Sequence, residues 1–517
     1  MSDDYAVETI DRGFRLPILY NMLFSFSSIL FTIPYVVILV RVLPPLEFLF
    51  YSSIFTFYTV FTLFLTRMVV WASRDYIRFG VDVERLYRGI YTLTLSIGLI
   101  LGLLIIHYLI KSLDLIDGII LSLYGFSIII YSYVAQLIVL VAPRFFSFLS
   151  MVNQCVRLLT LIPIIYLGWS ISYITPLTIE VMSYLTAVSF AFYLVRDRVK
   201  PKLYIPAIPS MEYVLRTIKL STIGYINLFR NSVGNIHYFI GFFMGLSEIL
   251  LNILWIVYRV LDWGRGFFRG FQVVVYQRSF YKGVGEYDFK NFFNMIIYIL
   301  IPILIISIVM HRPITSIFNP KYTGYSYLIP LAITLVILEV VRIALVRIVH
   351  GGETLDREVK NIGIDDILAS EYFKVSYNQF KYMLYIIIVL IPIGIYLLAI
   401  DRAIYIPYIF ISAFLLESLI DNIILYKRFI NDKGLSIDIS QIFYFIVYSI
   451  PSTIYLYYIG GYNFLVKDIF PDIIPIAIHI AIAYGLYLIL SLSNKWVRNE
   501  FRRLINFVYR IFSNPQP

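Results

Sequence analysis

The sequence predicts an all-α membrane protein that crosses the bilayer many times. Of its 517 residues, 60% are hydrophobic and only 14% are charged, whereas an average soluble chain is roughly 45–50% apolar and about a quarter charged. The apolar residues lie in long runs without the period-2 alternation of barrel strands, and backbone that faces lipid must be helical or part of a closed barrel. These observations exclude a soluble fold, a disordered chain and a coiled-coil fibre.

Fourteen apolar runs are long enough to cross the roughly 30 Å bilayer core, which takes about 20 helical residues. The predicted spans are 16–40, 47–71, 88–110, 116–142, 145–168, 174–194, 212–243, 246–277, 291–310, 325–347, 381–400, 404–426, 440–459 and 471–493. No connection between them is long and apolar enough to form a soluble domain. A single cysteine, Cys155, excludes an intrachain disulfide.

Loop charges predict the orientation of these spans. With the N-terminus inside, the loops on the cytoplasmic side hold 27 Lys and Arg residues, and those on the opposite side hold 6. This asymmetry follows the positive-inside rule and predicts a plasma-membrane protein with both termini in the cytoplasm. It also accounts for the net charge of +10, so we predict no nucleic-acid partner.

Polar residues recur at helical spacing in several spans and indicate faces turned away from lipid. The first span carries Asn21, Ser25, Ser28 and Thr32, the second carries Ser52, Thr56 and Thr59, and the eighth carries Glu248, Asn252, Trp255, Arg259, Asp262, Gly266 and Arg269. From these rows we predict that a central cavity is lined by Asn21, Ser25, Thr56, Asn227, His237, Asn252, Trp255 and Asp262. The alternative for Ser and Thr rows is bonding to their own backbone or to a neighbouring helix.

Cations inside the spans predict an anion-binding region, because a charge at mid-bilayer costs roughly 2.5–3.5 kcal/mol unless it is hydrated or paired. The candidate substrate-binding residues are Arg67, Arg157, Arg230, Arg259, Arg265 and Arg269. At 1.5 Å per residue, Arg259 lies about 16 Å below Glu248, near the midplane. Arginine suits phosphate because its planar fork of donors is always charged. Asp262, one turn from Arg259, offers the alternative of a purely structural ion pair.

A weak internal repeat relates the second and eighth spans, and its offset also maps the first span onto the seventh. Glu47, Arg67 and Arg74 recur as Glu248, Arg269 and Arg278, at offsets of 201, 202 and 204 residues. In duplicated transporters the substrate lies at the interface between the repeats.

Two segments resemble motifs of a known group. RVLPPLEFLFY at 41–51 is similar to the turn after the first helix of polysaccharide and lipid-linked oligosaccharide flippases, and FNPKY at 318–322 is similar to that family's motif before the tenth helix. These proteins belong to the multidrug/oligosaccharidyl-lipid/polysaccharide exporter superfamily. The resemblance implies two six-helix bundles, at 1–195 and 211–428, around a central cavity, with two further helices at 440–493. It also implies alternating access.

The leading hypothesis is therefore a flippase for a lipid-linked oligosaccharide or polysaccharide repeat unit, with the phosphate linkage held by cavity arginines. No GxxxxGK[ST] segment is present, so we expect coupling to a substrate gradient or to H⁺ or Na⁺, with Glu180 as the candidate coupling residue. A multidrug/ion antiporter of the same fold is one alternative, and a membrane glycosyltransferase or ligase is another. We predict no catalytic residues, no metal and no cofactor. Partners would be the lipid-linked glycan and membrane lipids, and nothing indicates the oligomeric state.

The last segment, 494–517, is predicted to be a basic amphipathic tail on the cytoplasmic leaflet. One helical face would carry Trp496, Phe501, Leu504, Ile505 and Val508, with arginines opposite.

Overall fold

The structure, a computed structural model, is helical throughout the residues that it describes. These are residues 3–79, 84–109, 115–141, 145–196, 207–268, 286–352, 364–427, 438–502 and 505. The α-helices are α1 (Asp3–Val42), α2 (Pro45–Phe79), α3 (Glu84–Leu109), α4 (Leu115–Val141), α5 (Phe146–Tyr166), α6 (Ile174–Val195), α7 (Met211–Asn231), α8 (Val233–Phe243), α9 (Glu248–Phe267), α10 (Glu286–Val309), α11 (His311–Phe318), α12 (Leu328–Gly352), α13 (Ile364–Ala369), α14 (Glu371–Ala399), α15 (Ile406–Leu425), α16 (Ile439–Tyr458) and α17 (Ile469–Ser491). Short 3₁₀ helices occur at Pro320–Tyr325, Ala403–Tyr405 and Gly461–Asn463. No β-strand occurs in these ranges, and the predicted all-α class is confirmed.

Eleven helices in the described part of the chain are long and apolar enough to cross a membrane, and they coincide with eleven of the predicted spans. The other three predictions, at 88–110, 212–243 and 246–277, correspond to α3, to α7 with α8, and to α9. The charged residues that mark α7 and α9 as functional candidates also lower their hydropathy. The chain is a multi-pass membrane protein.

The predicted seventh span is two helices rather than one. α7 ends at Asn231 and α8 begins at Val233, with Ser232 at φ −98° and ψ 13° between them. Asn and Ser compete with helical hydrogen bonding through their side chains, which favours a break at this point. The break leaves Arg230 in the last turn of α7, where the helix dipole favours a positive charge.

One compact unit comprises Met1–Val284 and Arg342–Phe429. In it α5 packs on α1 and α6, and α4 packs on α2, α3 and α6. α2 also packs on α7 and α9, α7 packs on α14, and α15 packs on α14 and α9. All the candidate site residues belong to this unit.

A second compact unit comprises Gly285–Val341 and Ile430–Pro517. In it α10, α16 and α17 pack on one another. The Trp496 indole Nε1 donates to Asn291 Oδ1 at 2.9 Å, so this side chain of the predicted amphipathic tail faces the protein.

Two other members of the tail's apolar face, Phe501 and Ile505, are exposed, and Leu504 and Val508 lie outside the described residues. The predicted domain boundaries stay a prediction.

Candidate anion-binding site

The candidate site lies where α9 packs against α2. Both helices begin after a turn, which at α9 contains Gly245 in the left-handed region at φ 75°. Each carries a glutamate in its first turn, Glu47 in α2 and Glu248 in α9. Asn252, fully buried, donates through Nδ2 to the carbonyl oxygen of Pro45 at 3.0 Å. This bond ties the first turns of α9 to the start of α2.

Further along the same interface, two aromatic rings meet at the guanidinium of Arg259. The ring centroids of Phe55 from α2 and Trp255 from α9 are 6.1 Å apart, with an interplanar angle of 83°. The Arg259 Cζ lies 4.6 Å from the Phe55 centroid and 4.7 Å from the Trp255 centroid. Trp255 is itself fixed by an edge-to-face contact with Phe48 at 5.2 Å. We call the rings of Phe55 and Trp255 the aromatic corner.

The hydrogen bonds of Arg259 leave part of its fork unused. Nη1 donates to Asp262 Oδ2 at 3.0 Å, while Nε is buried and has no hydrogen-bond partner among the described residues. The Asp262 side chain is 45% exposed, and its other oxygen lies 3.8 Å from Arg265 Nη1. One half-exposed carboxylate is thus shared by two guanidinium groups. Such a group of side chains favours an additional anion.

Arg67 lies elsewhere on α2. Its side chain packs over Gly224 of α7, where an added Cβ would be 3.4 Å from Arg67 Cδ. The Ser221 hydroxyl donates to the Arg67 carbonyl oxygen at 3.3 Å. Arg67 is twelve residues after Phe55, or about 18 Å along the helix. The structure therefore does not bring Arg67 together with Arg259.

Arg157 belongs to a different, fully buried cluster. Its Nη2 forms an ion pair with Glu180 Oε2, and its Nε donates to the Ser183 hydroxyl at 3.4 Å. The Tyr51 hydroxyl donates to the other oxygen of Glu180 at 3.0 Å. The Arg157 Cζ also lies 5.1 Å from the centroid of the Tyr184 ring. These contacts join α5, α6 and α2, and they engage the carboxylate that was predicted to couple an ion.

Arg230 lies in a third cluster, between α7 and α15. Its Nε is 2.9 Å from Glu417 Oε1 and 2.8 Å from Asp421 Oδ2, and its Nη2 donates to the Ser418 hydroxyl at 3.3 Å. Arg230, Glu417 and Asp421 are all at most 1% exposed. Contact between Arg230 and a substrate phosphate would require the guanidinium to leave these carboxylates.

His237 and Phe414 lie between the second half of α9 and the Arg230 cluster. The His237 Nδ1 is 2.8 Å from the Tyr258 hydroxyl, and the His237 side chain is 1% exposed. The Phe414 ring centroid is 6.0 Å from that of His237, 5.3 Å from the Arg230 Cζ and 5.8 Å from the Arg265 Cζ. His237 is thus packed among aromatic rings.

Asn21 and Ser25, predicted to line the cavity, bond to a neighbouring helix. The Asn21 Oδ1 accepts from the backbone N–H of Ser147 at 3.1 Å, and the Ser25 hydroxyl donates to the Ser147 hydroxyl at 3.0 Å. One turn on, the hydroxyls of Ser28 and Ser150 are 2.9 Å apart. This polar row joins α1 to α5, which is the alternative that the sequence left open.

The other residues predicted to line the cavity or to bind the substrate are Thr56, Asn227 and Arg269. Thr56 is 1% exposed, and its hydroxyl has no hydrogen-bond partner among the residues described. The Asn227 side chain and Arg269 lie outside the described residues. In the part of the chain that the structure covers, no group of three or more His, Cys, Asp or Glu side chains could hold a metal ion.

Sequence reasoning missed the carboxylates that hold Arg230. Glu417, Ser418, Asp421 and Asn422 recur at helical spacing within the predicted span 404–426, so the polar-row criterion applied to that span would have found them. It also missed Phe55. This residue is one of 41 phenylalanines, and its local pattern does not distinguish it from the others.

The fold of the chain has counterparts among solved structures. No protein-family model and no curated protein matches it. The structure of the lipid II flippase MurJ in an inward closed conformation matches 93% of this chain and 99% of its own, with a TM-score of 0.58 and 14% identity. An inward-facing multidrug resistance MATE family transporter of the MOP superfamily matches 81% of this chain and 96% of its own, with a TM-score of 0.53 and 12% identity.

A third structure, a MATE in complex with MaL6, matches 80% of this chain and 95% of its own, with a TM-score of 0.51 and 13% identity. These matched proteins are a flippase and two MATE proteins. At such identities the likeness concerns the fold. The chain has the fold that is shared by the lipid II flippase MurJ and the MATE transporters, as the motif resemblance predicted.

Proposed function

We propose that this chain is a flippase that moves a lipid-linked oligosaccharide or polysaccharide repeat unit across the plasma membrane by alternating access. Transport would run from the inner to the outer leaflet, with both termini of the chain in the cytoplasm. The phosphate or diphosphate linkage would bind to arginines at mid-membrane depth, while the glycan crosses through water and the lipid tail stays in the bilayer.

The observation that carries this proposal is the state of Arg259. Its side chain is 13% exposed, it lies near the predicted midplane, and its buried Nε–H has no acceptor among the described residues. A buried donor without a partner costs roughly 1–3 kcal/mol, and a bound anion would recover that free energy. Since Asp262 already accepts from Nη1, the remaining edge of the fork suits the oxygens of a phosphate.

The other arginines take different parts in the proposal. Arg265 shares Asp262 with Arg259 and would contact the same headgroup. Arg67 and Arg269 would recruit the headgroup toward the cytoplasmic end. Arg157 and Arg230 are engaged by buried carboxylates, and we assign them to holding helices together in this conformation.

Energy would come from the substrate gradient or from coupled H⁺ or Na⁺. Glu180 remains the predicted coupling residue, and its protonation would break the ion pair with Arg157 and weaken the contact with Tyr51. That change would loosen the packing of α6 on α5 and α2. A coupled cycle needs such a linkage between proton binding and helix packing.

A multidrug/ion antiporter is the second candidate. It is favoured by the match to MATE transporters and by the buried carboxylates of Glu417 and Asp421. A cationic drug would need these carboxylates, yet in this structure both contact Arg230. We therefore rank the antiporter below the flippase.

The proposal is tested in the organism that carries the chain, with its gene deleted and replaced by variants. We expect Arg259→Ala to abolish accumulation of the surface glycan while the protein reaches the membrane at its normal level. Arg402→Ala, which removes an exposed arginine outside the spans, is the matched control and should restore the glycan. Normal glycan export by Arg259→Ala would contradict the proposal, and loss of resistance to cationic dyes with intact glycan would favour the antiporter.

A further inference from the structure

The aromatic corner covers two sides of the Arg259 guanidinium with rings from two different helices. The rings of Phe55 and Trp255 stand almost perpendicular, at 83°, and both centroids lie within 4.7 Å of the Arg259 Cζ. The Trp255 indole is held in turn by Phe48. These ring contacts hold the guanidinium in addition to its hydrogen bond to Asp262.

This arrangement distinguishes arginine from lysine at position 259. The negative faces of aromatic rings attract any cation, but a flat guanidinium can stack on a ring while its N–H groups point elsewhere. An ammonium group has no plane to orient. The aromatic corner therefore fixes the direction of the Arg259 donors as well as the position of the charge.

The fork has one edge occupied and one edge open. Asp262 accepts from Nη1, whereas Nε, which lies on the opposite edge together with Nη2, has no acceptor among the residues described. Two parallel N–H donors at a fixed spacing match two oxygens of one phosphate group. A monatomic anion such as chloride lies between the two donors and cannot present a separate acceptor atom to each of them.

From this geometry we infer that Phe55 and Trp255 are positioning residues, which orient the guanidinium of Arg259 so that it binds a phosphate or diphosphate group through two hydrogen bonds. The inference rests on the proposed function and specifies the chemistry of its substrate. Because Phe55 belongs to α2 and Trp255 to α9, the aromatic corner exists only while these helices are in contact. Movement of α2 away from α9 would remove one ring and weaken the hold on the headgroup.

The experiment is a calorimetric titration of the full chain in detergent with inorganic pyrophosphate. Phe55→Leu removes the ring, Phe55→Tyr keeps it as the matched control, and Arg259→Lys keeps the charge without the plane. We expect Phe55→Leu to weaken binding about fivefold to tenfold, a size typical of a partly desolvated cation–π contact, and Phe55→Tyr to bind like the wild type. Arg259→Lys should weaken binding more than Phe55→Leu does.

The double variant, which combines Phe55→Leu with Arg259→Lys, separates positioning from general packing. If Phe55 acts through the plane of the guanidinium, removing its ring should have a clearly smaller effect once lysine, which keeps only the general attraction of a cation to the ring, stands in place of the arginine, and the two changes should be non-additive. Equal losses from Phe55→Leu in both backgrounds would overturn the inference. So would unchanged binding by Phe55→Leu, or a wild-type chain that does not bind pyrophosphate.

A second titration with farnesyl diphosphate distinguishes a lipid-linked ligand from a free one. Tighter binding of farnesyl diphosphate than of pyrophosphate would support a lipid headgroup, and equal binding would indicate a soluble phosphate compound and contradict that part of the inference. A different result would contradict the proposed function. It would be contradicted by normal surface glycan in Arg259→Ala, even if pyrophosphate binding depends on the aromatic corner as expected.

Discussion

Two arginines of this chain, Arg157 and Arg259, lie in the same compact unit with opposite surroundings. The partner of Arg157 is Glu180, whose side chain is wholly buried and also accepts from Tyr51. The partner of Arg259 is Asp262, which is 45% exposed and shared with a second arginine. A dedicated buried carboxylate makes an ion pair that joins helices, whereas a shared and hydrated carboxylate leaves a guanidinium able to bind an external anion.

The largest expected effect is on folding, at the buried pair. Arg157→Ala leaves Glu180 without its counter-ion in the interior, and we expect a loss of about 3–5 kcal/mol in the free energy of unfolding. Thermal unfolding in detergent measures it. Replacing both residues with leucine should recover much of the loss, because no buried charge then remains.

Arg259→Ala is the matched comparison in the same assay. Because the ion pair of Arg259 is partly exposed, we expect this variant to lose about 1 kcal/mol or less. If Arg157→Ala and Arg259→Ala lowered the free energy of unfolding equally, the two ion pairs would not differ in their contribution to stability.

The next effect is on anion binding at the half-exposed pair. Arg259→Ala removes charge-assisted hydrogen bonds worth about 1.5–3 kcal/mol, so we expect pyrophosphate affinity to fall about tenfold or more. Arg402→Ala should bind as the wild type does. If Arg259→Ala keeps its affinity, the anion binds elsewhere.

A smaller effect is expected from the carboxylate that competes with the anion. Asp262→Asn removes a negative charge beside Arg259, and an exposed ion pair is worth about 0.2–1 kcal/mol. We therefore expect pyrophosphate to bind a few-fold more tightly, as measured by the same titration, while Glu212→Gln, a change at an exposed glutamate of α7, leaves binding unaltered. Weaker binding by Asp262→Asn would mean that the carboxylate orients Arg259 more than it competes.

The last comparison concerns salt. Raising KCl from about 0.05 M to about 0.5 M shortens the Debye length to a few ångströms and should weaken pyrophosphate binding several-fold. The difference in unfolding temperature between the wild type and Arg157→Ala should not change, since a buried pair is poorly screened. A salt-dependent difference would show that ions reach the Arg157 cluster.

The membrane fold could be predicted from sequence because lipid imposes long contiguous apolar runs. Contacts within one helix could be predicted too. Asp262 follows Arg259 by three residues, which places both side chains on one face, and the structure has them 3.0 Å apart. Which residues share a face of one helix depends only on their spacing along the chain, so such contacts can be predicted from the sequence.

Contacts between side chains of different helices could not be predicted from spacing along the chain. Arg230 and Asp421 are 191 residues apart, and their pairing depends on the approach of α7 to α15. The aromatic corner depends likewise on the approach of α2 to α9, since a phenylalanine in an apolar helix has many equivalent neighbours. The break at Ser232 was missed for a different reason, because the polar residues Asn227, Arg230 and His237 on both sides of it fit one face of a continuous helix.

The central claim is that Arg259 holds the phosphate of a lipid-linked substrate during transport. The most direct measurement uses vesicles containing the purified chain and a fluorescent polyprenyl diphosphate oligosaccharide, with translocation followed by loss of access to an impermeant quencher. The account predicts translocation by the wild type and by Arg402→Ala, a rate reduced about tenfold or more in Arg259→Ala, and an intermediate rate in Arg259→Lys. Translocation by Arg259→Ala at the wild-type rate would contradict it.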